Sequence, residues 1–194
     1  MKARLLMLLV SSAVFAACSQ RDTPTGDADS APPLPTSLPD TPAGPTDGSA
    51  TAVLAGTVES PVRGELRLTA ASDGVQLVGE ISGLTPGTEH GFHVHEHGDC
   101  SAPDASSAGE HLNPASAPHG GPTTTPRHLG DLPNVKANEE GTADVNTVLA
   151  GATLRDGGPN NLVGKAFIVH AKADDYKTQP SGASGDRIAC GVVQ

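Results

Sequence analysis

From Thr51 to Ile81 the chain is written in short runs whose apolar and polar residues alternate: Val53-Leu54-Ala55-Gly56-Thr57-Val58, Glu65-Leu66-Arg67-Leu68-Thr69 and Val75-Gln76-Leu77-Val78-Gly79-Glu80-Ile81. A period of two sends successive side chains to opposite faces of an extended strand, so each run suits a β-strand with one buried face. Ser72-Asp73-Gly74 and Thr85-Pro86-Gly87-Thr88 interrupt the runs with turn residues. Farther on, Asn138-Glu139-Glu140-Gly141 reads as a hairpin loop and Leu162 to His170 as the most apolar strand. Ala171 to Asp186 is a polar loop, and Arg187 to Val193 is a closing strand. Strands this short, with 23 glycines and 17 prolines between and within them, predict an all-β antiparallel sandwich or barrel rather than a helical protein.

Six of the eight histidines crowd into Phe92 to Asp131. His93 and His95 are one residue apart on a predicted strand, so their side chains point the same way from a rigid wall. His111, His119, His128 and Asp131 follow in a stretch broken by Gly and Pro, a composition that folds a loop back on itself. His170 stands at the end of the apolar run Ala166-Phe167-Ile168-Val169. Imidazoles with one carboxylate suit zinc or copper, whereas calcium or magnesium would call for an oxygen-rich set.

The N-terminus has a different character. Residues 1–17 carry Lys2 and Arg4 ahead of an apolar run too short to span a bilayer, which predicts an export signal. Val14-Phe15-Ala16-Ala17-Cys18 resembles a bacterial lipoprotein signal and implies lipidation of Cys18, with ordinary cleavage nearby as the alternative; Ser19 after the cysteine favours the outer membrane on that resemblance. Residues 18–50 are rich in Pro, Thr, Ser and Asp, cannot form a core, and read as a disordered tether. Of three cysteines, lipidation of Cys18 leaves Cys100 and Cys190 to pair in an oxidising compartment; two buried thiols are the alternative. The net charge of −10 argues against nucleic acid and acidic membrane surfaces as partners, so membrane association is expected only through the N-terminal lipid.

From Thr51 to Gln194 the motifs Gly91-Phe92-His93-Val94-His95-Glu96, Gly109-Glu110-His111-Leu112-Asn113-Pro114, His119-Gly120-Gly121-Pro122, Arg127-His128-Leu129-Gly130-Asp131, His170-Ala171-Lys172-Ala173-Asp174-Asp175 and Gly185-Asp186-Arg187-Ile188-Ala189-Cys190-Gly191 occur in the order found in one family. The chain resembles the copper/zinc superoxide dismutases, in their exported bacterial form. The resemblance implies residues 51–194 as an eight-stranded Greek-key β-barrel with long metal-binding loops outside it, holding one copper and one zinc ion. It assigns copper to His93, His95, His111 and His170, and zinc to His111, His119, His128 and Asp131, with His111 shared. Asp174 would accept hydrogen bonds from His93 and His119, Cys100–Cys190 would tie a loop to the barrel, and Arg187 would dock superoxide. The implied reaction converts two superoxide anions and two protons to oxygen and hydrogen peroxide through Cu(II)/Cu(I) cycling, with His111 supplying a proton, in the cell envelope or periplasm.

The loop Tyr176 to Ala183 is short, so Lys172 and Lys177 are candidate guiding charges or simply solvated lysines, and Asp186 stands where it could blunt the field of Arg187. His90 and His97 fall outside the ligand set, and His97 is expected to be solvated. Two other readings use the same scaffold: a surface protein that buffers copper or zinc, and a metal-free adhesion module. Storage needs neither Arg187 nor a shared His111, and an adhesion module predicts lost ligands. Scarce aromatics mark no interface patch, so monomer and homodimer both stay open.

Overall fold

The computed structural model describes residues 48–194, which fall within one unit, Thr41–Gln194. The expected signal, Cys18 and nearly all of the tether lie outside the described residues. Among the described residues nine strands form: β1 (Ser49–Gly56), β2 (Arg63–Ala71), β3 (Gly74–Ser82), β4 (Glu89–His90), β5 (Phe92–His95), β6 (Val135–Lys136), β7 (Ala143–Ala150), β8 (Ala166–His170) and β9 (Arg187–Val192). Seven make one antiparallel sheet in the order β5-β8-β9-β1-β2-β3-β7, and β4 pairs with β6. Because β6 lies against β7 and β4 runs on into β5, the sheet curls back on itself as a Greek-key barrel.

The strand count differs by one from the expected eight because the strand that carries the histidines is divided at Gly91. Along its outer edge the neighbour is interrupted too: Asp131 faces His93 and Val135 faces His90, but Pro133 between them has no N–H to continue the ladder. Counted through that break, β4 and β5 are one strand. β1 starts at Ser49, two residues before the expected boundary. Ser49 and Ala50 pair with Thr69 and Leu68, and Ala50 is fully buried, yet their composition resembles that of the tether.

Inside the barrel the alternation is obeyed. Leu66 and Leu68 of β2, Val75, Leu77 and Ile81 of β3, and Val145 and Leu149 of β7 face inward and pack with Leu54. Phe92 and Phe167 stack with ring centroids 5.3 Å apart. β5 and β8 are buried on both faces, and this is the key to the site. Phe92, Val94, Phe167 and Val169 fill the barrel, so His93, His95 and His170 project from its outer wall under the loops that cover it.

Candidate metal centre

Backbone pairing gathers the donors before any side chain acts. Directly opposed residues of neighbouring strands share a face. Across the outer edge of β5, His111 sits opposite His95 and Asp131 opposite His93. Three hydrogen bonds lock this arrangement: Leu112 N–H to the Val94 carbonyl at 2.8 Å, Val94 N–H to Gly130 at 3.0 Å, and Gly130 N–H to Leu112 at 2.9 Å. Gly130 is required here because a Cβ would run into the Val94 carbonyl.

Two four-residue groups result, each with its donor atoms within 4.8 Å of one another: His93, His95, His111 and His170, and His111, His119, His128 and Asp131. All seven residues are buried, and His111 belongs to both groups. In the first, His93 Nδ1 and the Nε2 atoms of His95, His111 and His170 are buried with no hydrogen-bond partner. Such atoms are costly to bury unless something binds them. The opposite nitrogens explain which tautomer each ring adopts. His93 Nε2 donates to Asp174 Oδ2 at 2.8 Å, His95 Nδ1 to the Gly109 carbonyl at 2.8 Å and His170 Nδ1 to the Gly185 carbonyl at 3.1 Å. A neutral imidazole that donates from one nitrogen keeps a lone pair on the other, so those three lone pairs point into the cluster.

The second group is built around Asp131. Its Oδ2 accepts N–H groups from Gly120 at 3.0 Å and His128 at 2.9 Å, which fixes the carboxylate. Its Oδ1 then stands 2.9 Å from His111 Nδ1, 2.9 Å from His119 Nδ1 and 3.2 Å from His128 Nδ1, while His128 Nδ1 and His111 Nδ1 are 3.4 Å apart. A tetrahedral zinc ion bound at about 2.0–2.1 Å needs its donors about 3.3 Å apart, so the residues fit that ion.

Asp174 joins the groups, with Oδ2 on His93 and Oδ1 3.0 Å from His119 Nε2. Asn134, which sequence reasoning missed, holds Asp174 in place: Asn134 Oδ1 accepts the Asp174 N–H at 2.9 Å and Asn134 Nδ2 donates to its carbonyl at 3.0 Å. No periodicity or motif marks this asparagine. Gly182, at φ 68°, packs against the same carboxylate where any Cβ would collide with Asp174.

The electrostatics divide the groups. Burial lowers the pKa of His111 to about 4 and that of His170 to about 3, with the neighbouring imidazoles adding repulsion, and His95 is lowered by burial and by His111. These rings are neutral at pH 7. Burial works against charge at His119 as well, but its hydrogen bonds to Asp131 and Asp174 prevail and raise it to about 9. Burial opposes charge on Asp131 and Asp174, yet their imidazole donors hold both carboxyls below the usual range.

Arg187 lies at the first group: Nη2 donates to the Gly109 carbonyl at 2.7 Å, the same oxygen that His95 uses, and Nη1 to Ala105 at 2.8 Å. Ala105 and Gly109 belong to the loop anchored by the Cys100–Cys190 disulfide, whose Cα atoms are 5.8 Å apart. Asp186 makes no ion pair with Arg187 among the described residues. His97 is exposed, against Glu96 at 3.3 Å. His90 is buried outside the donor groups and hydrogen-bonds the His170 carbonyl at 2.8 Å. Lys172 and Lys177 are both exposed.

Residues 62–193 match the family described as copper/zinc superoxide dismutase. The chain belongs to that family. A superoxide dismutase [Cu-Zn] of Aquifex aeolicus is 40% identical over 134 residues, 68% of this chain and 79% of the relative. An extracellular superoxide dismutase [Cu-Zn] of Brugia pahangi is 38% identical over 141 residues, covering 68% and 69%. The crystal structure of a SOD-like protein from Bacillus subtilis superposes with a TM-score of 0.68 at 36% identity, covering 74% of this chain and 97% of that one.

Proposed function

We propose that this chain is a copper/zinc superoxide dismutase, with copper held by His93, His95, His111 and His170 and zinc by His111, His119, His128 and Asp131. One observation carries the reading: four buried imidazole nitrogens converge without a hydrogen-bond partner, and one of those rings turns its other nitrogen toward a second complete donor set. The four imidazoles suit copper, and the three imidazoles with one carboxylate suit zinc. The chemistry a copper ion supplies there is one-electron exchange, by which two superoxide anions and two protons become oxygen and hydrogen peroxide.

The chain's own residues do the rest. Arg187, fixed by two carbonyls, offers a stationary guanidinium to an arriving anion next to His95. His111 Nε2 faces the same space and is the atom at which a proton is held and given up. The second donor set, in which Asp131 Oδ1 stands 2.9 Å from His111 Nδ1, would keep that ring in place from its Nδ1 side while Nε2 exchanges its proton. Asp174 orients His93 through Oδ2 and His119 through Oδ1, so one carboxylate serves a ring of each group. The site is complete within one chain, so this reading requires no second copy.

For localisation we infer an exported protein of the cell envelope or periplasm, held to a membrane by lipid on Cys18, that protects the envelope from superoxide. The N-terminal apolar run, Cys18 and the extracellular relative support this. The test of function is superoxide decay catalysed by the full chain after loading, with copper and zinc measured in the same sample. Turnover that tracks copper content is expected; full metal content without turnover would favour the buffering protein.

A further inference from the structure

Outside the donor groups, one side chain reaches the zinc loop from the neighbouring loop. Gln179 Oε1 accepts the His119 N–H at 2.8 Å, and Gln179 Nε2 donates to the His119 carbonyl at 2.9 Å. The amide thus engages both main-chain groups of one residue. Among the described residues, His119 N–H and C=O have no other hydrogen-bond partner. The flanking chain supplies few alternatives, because Pro118 precedes His119 in a stretch that also contains Pro114 and Pro122.

We propose that Gln179 is a positioning residue for the zinc group, latching the loop Asp174–Gly185 onto the main chain of His119. The proposal rests on the zinc assignment above and deepens it. His119 must aim two nitrogens at once, Nδ1 at Asp131 and Nε2 at Asp174. Side-chain aim is set by the backbone that carries it, and Gln179 fixes that backbone from the loop that also carries Asp174. The copper side is tied to the same loop through Asp174 on His93 and the Gly185 carbonyl on His170, and neither contact runs through Gln179. Gln179 is itself exposed, and Asp131 has its own backbone anchors, so the barrel does not depend on it.

The experiment compares full-length wild type, Gln179→Leu and a control, Ser181→Ala, by competition of zinc and copper separately against chelators, with the melting temperature of the metal-free chain. Leucine keeps the bulk and removes both hydrogen bonds to His119, together with the 3.3 Å bond from Nε2 to the Lys177 carbonyl. Zinc affinity is expected to fall about tenfold, as when a contact supporting a metal ligand is lost, while copper affinity and metal-free melting stay at wild type. Ser181→Ala should match wild type in all three. Unchanged zinc affinity in Gln179→Leu would overturn the proposal, as would parallel loss of zinc, copper and melting temperature, which marks a merely structural role. A wild-type chain that takes up no zinc would instead defeat the zinc assignment itself, and the proposal with it.

Discussion

Replacing Asp174 by Asn keeps the size of the side chain and changes only charge and one donor. Asp174 Oδ1 accepts both the Tyr176 N–H at 2.6 Å and His119 Nε2 at 3.0 Å, while Oδ2 accepts only His93 Nε2 at 2.8 Å. The Tyr176 N–H demands an acceptor, so the asparagine oxygen takes the Oδ1 position and its NH2 turns toward His93. Two donors then meet, and His93 must move its proton to Nδ1, the nitrogen whose lone pair points into the four-histidine group. A buried hydrogen bond to a charged group is worth about 1.5–3 kcal/mol, which corresponds to a loss of about 10–150-fold in copper affinity. His119 keeps an oxygen acceptor and loses only the charge, so zinc affinity should fall by less, about tenfold at most. Competition titrations of each metal against a chelator measure both. Equal losses, or a larger loss for zinc, would refute the argument.

Three further outcomes follow from the same geometry. Arg187→Ala removes the fixed cation but no donor atom, so superoxide turnover should slow while both metals remain bound; unchanged turnover at full metal content would remove Arg187 from anion docking. His119, raised to about 9, carries an extra proton at neutral pH that zinc must displace, so apparent zinc affinity should climb about tenfold per pH unit and level off near pH 9. In the metal-free chain that raised pKa stabilises the fold fully below about 6.5 and less as the pH rises through 9, whereas the lowered His111 and His170 cost stability as the pH falls below 6.5 toward 4 and 3. Zinc titrations at several pH values and thermal melts of the metal-free chain check the two signs, and a zinc affinity flat from pH 6 to 9 would contradict the first.

How much of this is legible in the sequence depends on the range of the interaction. The period-two runs of β2 and β3 announce a half-buried sheet because burial on one face is a local constraint. The donor residues are legible too: His93 and His95 through strand parity, and the others through motifs whose order is that of the family. The break at Gly91 between the two histidine-bearing strand segments is not legible, because Pro133, where the partner ladder loses a donor, lies forty-two residues away. Ser49 and Ala50 look like tether until Thr69 and Leu68 pair with them. Asn134 and Gln179 act by hydrogen bonds to main-chain atoms of residues forty and sixty positions away, and such bonds leave no period and no spacing in a single sequence.

The claim on which everything rests is that one ring, His111, serves both metals. The direct measurement is separate copper and zinc affinities of His111→Ala beside wild type. Both affinities should drop, each by more than the roughly 10–100-fold that loss of a supporting contact costs, because each group loses a donor of its own. Loss confined to one metal, with the other bound as tightly as in wild type, would show that the two donor groups are independent and that the shared imidazole is not a ligand to both.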